Sequence, residues 1–111
     1  MDRMLGVKVY DSSFCTERHL DCLQKIGFNT VFLGRGALSE SVTDNLNSRG
    51  LFWNIVEPVF LITDDEQCAR ATRNDGSEAA DDWVRFACPT DSEHLDHVRK
   101  RIEADILKYN P

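Results

Sequence analysis

Apolar and polar positions over the first 57 residues repeat as a unit that occurs twice and opens a third time. Leu5–Tyr10 reads as a strand, Thr16–Ile26 as a helix and Gly27 as its stop. Thr30–Gly34 reads as a second strand, Ser39–Ser48 as a second helix and Gly50 as its stop. Leu51–Glu57 is a third strand. Thr16 and Ser39 are N-cap residues by type, each followed by a glutamate that suits the first turn. Leu20, Leu23 and Ile26 mark the inner face of the first helix, and Val42 and Leu46 that of the second. Both helices are too short to be stable alone and need a sheet to lie on. Thr30–Leu33 is nearly continuous in apolar residues, as a strand covered on both faces requires. Repeated βα units build parallel sheets, which carry their chemistry in the loops after the strands.

Beyond the third strand the pattern loosens. Pro58 to Asp82 is a long segment with a turn signal at Asn74-Asp75-Gly76-Ser77 and a short helix predicted over Asp65–Arg73. Trp83–Ala87 alternates as a short strand or an extended loop. Cys88-Pro89 then leads into a last helix, with Thr90 and Glu93 at capping-box spacing and an apolar stripe of Leu95, Val98, Ile102 and Ile106.

Several of these segments together have a familiar form: Val9-Tyr10-Asp11, Gly27–Gly34, Glu57-Pro58-Val59-Phe60, Trp83–Asp91, and a long helix ending in Tyr109-Asn110-Pro111. The set resembles the amino-terminal part of glycoside-hydrolase-like (β/α)8 barrels. The resemblance implies an α/β fold made as a partial (β/α) barrel: about three βα units with a parallel sheet, in one domain over residues 1–111. It implies metal-independent hydrolysis of a glycosidic bond in the complete protein, with no cofactor and with carbohydrate as the partner. In that family the following strand usually carries an Asp-Gly-x-x-x-Asp motif and a catalytic carboxylate. No catalytic residue is therefore assigned here, and this chain is expected to be inactive alone. The alternative is a non-enzymatic binding or assembly module whose sheet pairs with another chain.

The residues themselves offer four candidates for substrate binding. Asp11 directly follows strand one and Glu57 ends strand three, where a parallel barrel places its active face. Each has a second reading, Asp11 as the support of a turn beside Ser12 and Ser13. Arg35 lies between Gly34 and Gly36, which fits either an anion-binding loop or a solvated turn. Trp83, with Phe86, has the aromatic surface that suits the apolar face of a sugar ring, or simply covers the core. Trp53 reads as core. His94 and His97 are spaced for a metal pair, but the apolar stripe leaves both on a solvated face. No metal site is expected.

Charge and composition narrow the rest. A net charge of −6 argues against nucleic acid, which needs clustered Lys and Arg. No apolar run reaches the roughly 20 residues that span a bilayer. Met1-Asp2-Arg3-Met4 leads directly into a strand, so no signal peptide is expected and the location is read as cytoplasmic. Cys15, Cys22, Cys68 and Cys88 have no paired spacing and are expected as free thiols. Three strands cannot close on themselves, so Val7, Val9, Val31, Leu33, Phe52 and Val56 are expected to be incompletely covered, and the chain either to self-associate as a homo-oligomer or to be only marginally stable.

Overall fold

Thr16 and Ser39 start their helices by the predicted means. Thr16 Oγ1 accepts from the His19 N–H at 3.4 Å, and Ser39 Oγ from the Val42 N–H at 3.3 Å. These caps open α1 (Glu17–Ile26) and α2 (Glu40–Ser48). Gly27 closes α1 with φ at 107°, a conformation that side-chain-bearing residues rarely adopt. The structure is a computed structural model that describes residues 3–62, 67–81 and 84–111. They form two compact units, one reaching to Glu57 and including Tyr109–Pro111, the other Pro58–Lys108.

The first unit is a three-stranded parallel sheet in the order β1 (Gly6–Val9), β2 (Thr30–Leu33), β3 (Phe52–Ile55). One rung is Val7–Val31–Trp53 and the next on the same face is Val9–Leu33–Ile55. That face packs with Leu20 of α1 and with Val42 and Leu46 of α2 in one core. Both helices thus cover the same face. The other face carries Gly6–Thr30–Phe52 and Lys8–Phe32–Asn54. Phe52 is 52% exposed, because neither α1 nor α2 lies on its side of the sheet. The six apolar strand residues expected to share one fate are therefore divided: Val9, Val31 and Leu33 are buried, Val7 and Val56 are half-buried, and Phe52 belongs to the opposite face.

Ile26 departs from expectation. It lies at the last turn of α1 and is 69% exposed, so the inner face of that helix is Leu20 with Leu23. A network not anticipated from the sequence ties the two helices instead. Arg49 donates to Asp21 Oδ1 at 2.6 Å, to Gln24 Oε1 at 3.1 Å, to Asn45 Oδ1 at 3.1 Å and to Glu17 Oε2. Trp53 is core as predicted, its Nε1–H donating to Asn47 Oδ1 at 2.9 Å.

The second unit replaces most of the expected long loop with a small antiparallel sheet. β4 (Leu61–Ile62) and β5 (Ala80–Asp81) flank β6 (Val84–Phe86). The helix predicted over Asp65–Arg73 does not form in its described part. Residues 67–73 contain no helix and carry bridges from Arg70 to Ala87 and from Thr72 to Glu78; Asp65 and Glu66 lie outside the described residues. Asn74–Ser77 is the turn its composition predicts, with Asp75 Oδ1 accepting from the Ser77 N–H at 2.9 Å.

α3 (Ser92–Tyr109) is capped by Asp91 rather than Thr90. Asp91 Oδ1 accepts from Glu93 N–H at 3.1 Å and from His94 N–H at 3.2 Å, so a carboxylate takes the place proposed for the threonine hydroxyl. The buried face is also rotated. His94 and Val98 are buried, whereas Leu95 and Ile106 are exposed. Among the described residues no helix is long and apolar enough to cross a membrane.

Candidate functional site

Val9, Leu33 and Ile55 are the last residues of their strands and share one rung. Asp11, Arg35 and Glu57 each follow that rung by two residues, which brings all three to the carboxyl end of the sheet. The ladder runs slightly past the strands, with Gly34 N–H on Val9 O at 2.8 Å and Val56 N–H on Leu33 O at 2.7 Å.

Arg35 stands in the middle strand's loop, between the two acids in strand order. Its guanidinium donates to Glu57 Oε2 at 2.7 Å. Asp11 has a separate task. It caps the 3-10 turn Ser12–Phe14, with Oδ1 accepting from Ser13 N–H at 2.9 Å. That hydrogen bond holds its carboxyl below the usual carboxylate range. Asp11 and Glu57 belong to the outer two of three strands, so their backbones stand about two strand spacings, or ~10 Å, apart.

The glycines around Arg35 have a steric purpose. A side chain at Gly36 would bring its Cβ to 2.5 Å from the Tyr10 carbonyl oxygen, and one at Gly34 to 2.6 Å from the Tyr10 ring. The loop after β2 (the 3-10 turn Arg35–Ala37) is thus pressed onto the end of β1. Tyr10 is 62% exposed and lies beside the Arg35 loop. It was not among the sequence candidates, although a large aromatic residue closing an otherwise aliphatic strand was a signal for it. Trp83, the aromatic candidate of the sequence, lies outside the described residues.

Lys8 and Asn54 form another pair missed in the sequence. They flank Phe32 in one rung of the face opposite α1 and α2, and both are exposed. Polar residues interrupting the apolar runs Leu5–Tyr10 and Leu51–Val56 were the available signal.

The histidine pair does not make a metal centre. His94 is 5% exposed and its Nε2 lies 2.7 Å from Val59 O. A carbonyl oxygen only accepts, so the imidazole carries a hydrogen on Nε2 and donates it. The solvated position expected for His94 is therefore wrong, while His97 is exposed. Gln67, Cys68 and Glu93 join the two histidines around a cavity of about 360 Å³. Among the described residues no group of His, Cys, Asp and Glu is placed to hold a metal ion.

The four cysteines, all among the described residues, form no disulfide. Burial pushes the Cys15 thiol up, and a hydrogen bond with Thr90 lowers that of Cys88. The Cys88 sulfur meets a hydroxyl rather than an imidazole, so the arrangement does not resemble a cysteine nucleophile with its base. Comparison with protein-family models, curated proteins and solved structures finds no match.

Proposed function

We propose that the β1–α1–β2–α2–β3 unit is the leading part of a glycoside-hydrolase-like (β/α)8 barrel, and that its carboxyl rim contacts carbohydrate without supplying the catalytic pair. One observation carries this reading: an exposed tyrosine ring adjoins a loop whose arginine is paired with a glutamate. Sugar recognition combines an aromatic face for ring C–H groups with planar donors and acceptors for adjacent hydroxyls. Tyr10, Arg35 and Glu57 are of those types.

The same geometry argues against catalysis by this chain. Glycoside hydrolysis needs one carboxyl group to protonate the leaving oxygen and a second across the bond, at roughly 5–5.5 Å or 6.5–9.5 Å. Here Asp11 is occupied by its turn, and Glu57 Oε2 receives the Arg35 guanidinium. Arg35 separates the two in strand order.

The test is an amide-resolved NMR titration with a panel of mono- and oligosaccharides. Shifts confined to Tyr10–Ser13, Gly34–Ala37 and Val56–Glu57 are expected, and Tyr10→Ala should abolish them. Absence of shifts across the panel, or shifts only elsewhere, refutes the reading. Turnover of aryl glycosides that vanishes with Glu57→Gln would overturn the non-catalytic assignment.

A second reading, an assembly module, is favoured by the sheet's edge. β1 pairs with β2 on one side, and no described strand pairs with its other side.

A further inference from the structure

We propose that β1 pairs antiparallel with β1 of a second copy, about a two-fold axis through Val7, to give a continuous six-stranded sheet. This deepens the assembly reading by naming the partner.

The backbone fixes which groups are available. Arg3 O accepts from Asn29 Nδ2–H at 2.8 Å, Leu5 N–H donates to Asn29 Oδ1 at 3.0 Å, and Val9 O accepts from Gly34 N–H at 2.8 Å. The odd-numbered residues therefore turn their backbone groups toward β2 and its approach. With a period of two, Gly6 and Lys8 turn theirs to the open edge. The Tyr10 carbonyl oxygen lies against Gly36 in the loop after β2, so the outward ladder is that of Gly6 and Lys8, and Asp11 beyond it has extended backbone at φ −129° and ψ 131°.

A groove of about 410 Å³ runs along this edge, with Val7, Val9, Phe14, Cys22 and Leu23 among its lining. Met4, Leu5, Tyr10 and Phe14 are exposed nearby. These apolar residues occupy both ends of the strand, which is the distribution that an antiparallel self-pairing covers.

The register follows from charge. With Val7 opposite Val7, Gly6 faces the second copy's Lys8, Leu5 faces Val9, Met4 faces Tyr10 and Arg3 faces Asp11. Outward backbone groups meet outward groups in both Gly6–Lys8 rings. Leu5 and Met4 each meet an apolar or aromatic residue, and each end of the pairing joins a cation to a carboxylate. Arg3 and Asp11 are both exposed and so open to this contact. Centring on Lys8 would set like charges directly opposite, which is unfavourable. Centring on Gly6 would put Lys8 opposite Met4 and take Arg3 away from Asp11. A half-residue centre would bring outward groups against inward ones and form no ladder. Complementarity about Val7 thus selects a second copy over an unrelated strand.

Sedimentation velocity on the whole chain, over a concentration series, tests the assembly. A monomer–dimer equilibrium is expected. Arg3→Asp or Asp11→Lys alone should weaken it several-fold, and the double exchange should restore it. The restoration separates the contact from any loss of the Asp11 cap. Register is read by Val7→Cys in a chain whose Cys22, Cys68 and Cys88 are replaced by serine. A non-hydrogen-bonded antiparallel pair has Cα atoms about 4.5 Å apart, within disulfide reach. Oxidation of the Val7→Cys chain should therefore give a disulfide-linked dimer, and Lys8→Cys should not cross-link. A monomer at all concentrations overturns the proposal. So does a dimer that Lys8→Cys traps and Val7→Cys does not. A monomer whose Gly6 and Lys8 amides shift on adding an unrelated strand peptide overturns the self-pairing while leaving an edge-binding module in place.

Discussion

Gly36→Ala tests whether the rim is held by contact between the β2 loop and the end of β1. The new Cβ would lie 2.5 Å from Tyr10 O, whereas ordinary contacts begin near 3.4 Å. One partner must retreat by close to 1 Å. Tyr10 O has little freedom to do so. The preceding carbonyl, Val9 O, is bonded to Gly34 N–H, and the following residue, Asp11, is bonded to Ser13 N–H. Overpacking of this kind costs about 1–3 kcal/mol. Against it stands the lower entropy of an unfolded alanine, worth about 0.4–1 kcal/mol. The net loss should be about 1–2 kcal/mol. At about 4–8 °C per kcal/mol for a domain of this size, the midpoint should fall by roughly 5–15 °C. Gly34→Ala is the matched control. Its Cβ would meet the Tyr10 ring rather than a carbonyl, and an exposed ring can turn aside. Its stability should change less than that of Gly36→Ala, although the ring will move. Thermal and urea unfolding of both variants gives the comparison. If Gly36→Ala is as stable as the parent, or Gly34→Ala is the costlier change, the loop is not braced on Tyr10 and the argument fails.

Leu20 is fully buried in the first unit's core, so Leu20→Ala should lose about 2–5 kcal/mol in urea unfolding; a loss under about 1 kcal/mol would mean that α1 is not docked through it. Acid should also reveal α3. Asp96 is held at about 2 by hydrogen bonds from Lys100 and then Arg99. A folded-state value below the unfolded one stabilises above about pH 4, and that stability is lost as pH falls toward 2. Parent and Asp96→Asn should therefore differ above pH 4 and converge near pH 2; urea midpoints that keep a constant gap across that window would refute the pairing.

The parallel unit was legible because its signals are local. Thr16, Ser39, Gly27 and Gly50 mark helix ends through their own side chains or their lack of one, independent of what packs nearby. Short connections between repeated units set consecutive strands side by side, as β1, β2 and β3 are. The second unit was less legible because its strands are two or three residues long. A period-two signal cannot emerge from so few positions, and β4 depends on a partner more than twenty residues away, as in Leu61 with Phe86.

Site roles were harder than site positions for the same physical reason. Strand phase places Asp11, Arg35 and Glu57 at one end of the sheet, and phase is readable in one segment at a time. What each residue does depends on a neighbour from another segment. Glu57 is engaged by an arginine 22 positions earlier. His94 is buried because Val59 offers its imidazole a carbonyl 35 positions away, and a hydrogen-bonded ring can occupy a place that apolar periodicity reserves for carbon. That substitution also explains the rotated face of α3. Helical periodicity assigns burial by hydrophobicity, so it chose Leu95 and missed the adjacent histidine whose polarity was satisfied from outside the helix. The Gly-Arg-Gly loop follows the same logic. Its glycines read equally well as an anion cradle or a turn, and only the approach of Tyr10 from β1 shows what the missing side chains make room for.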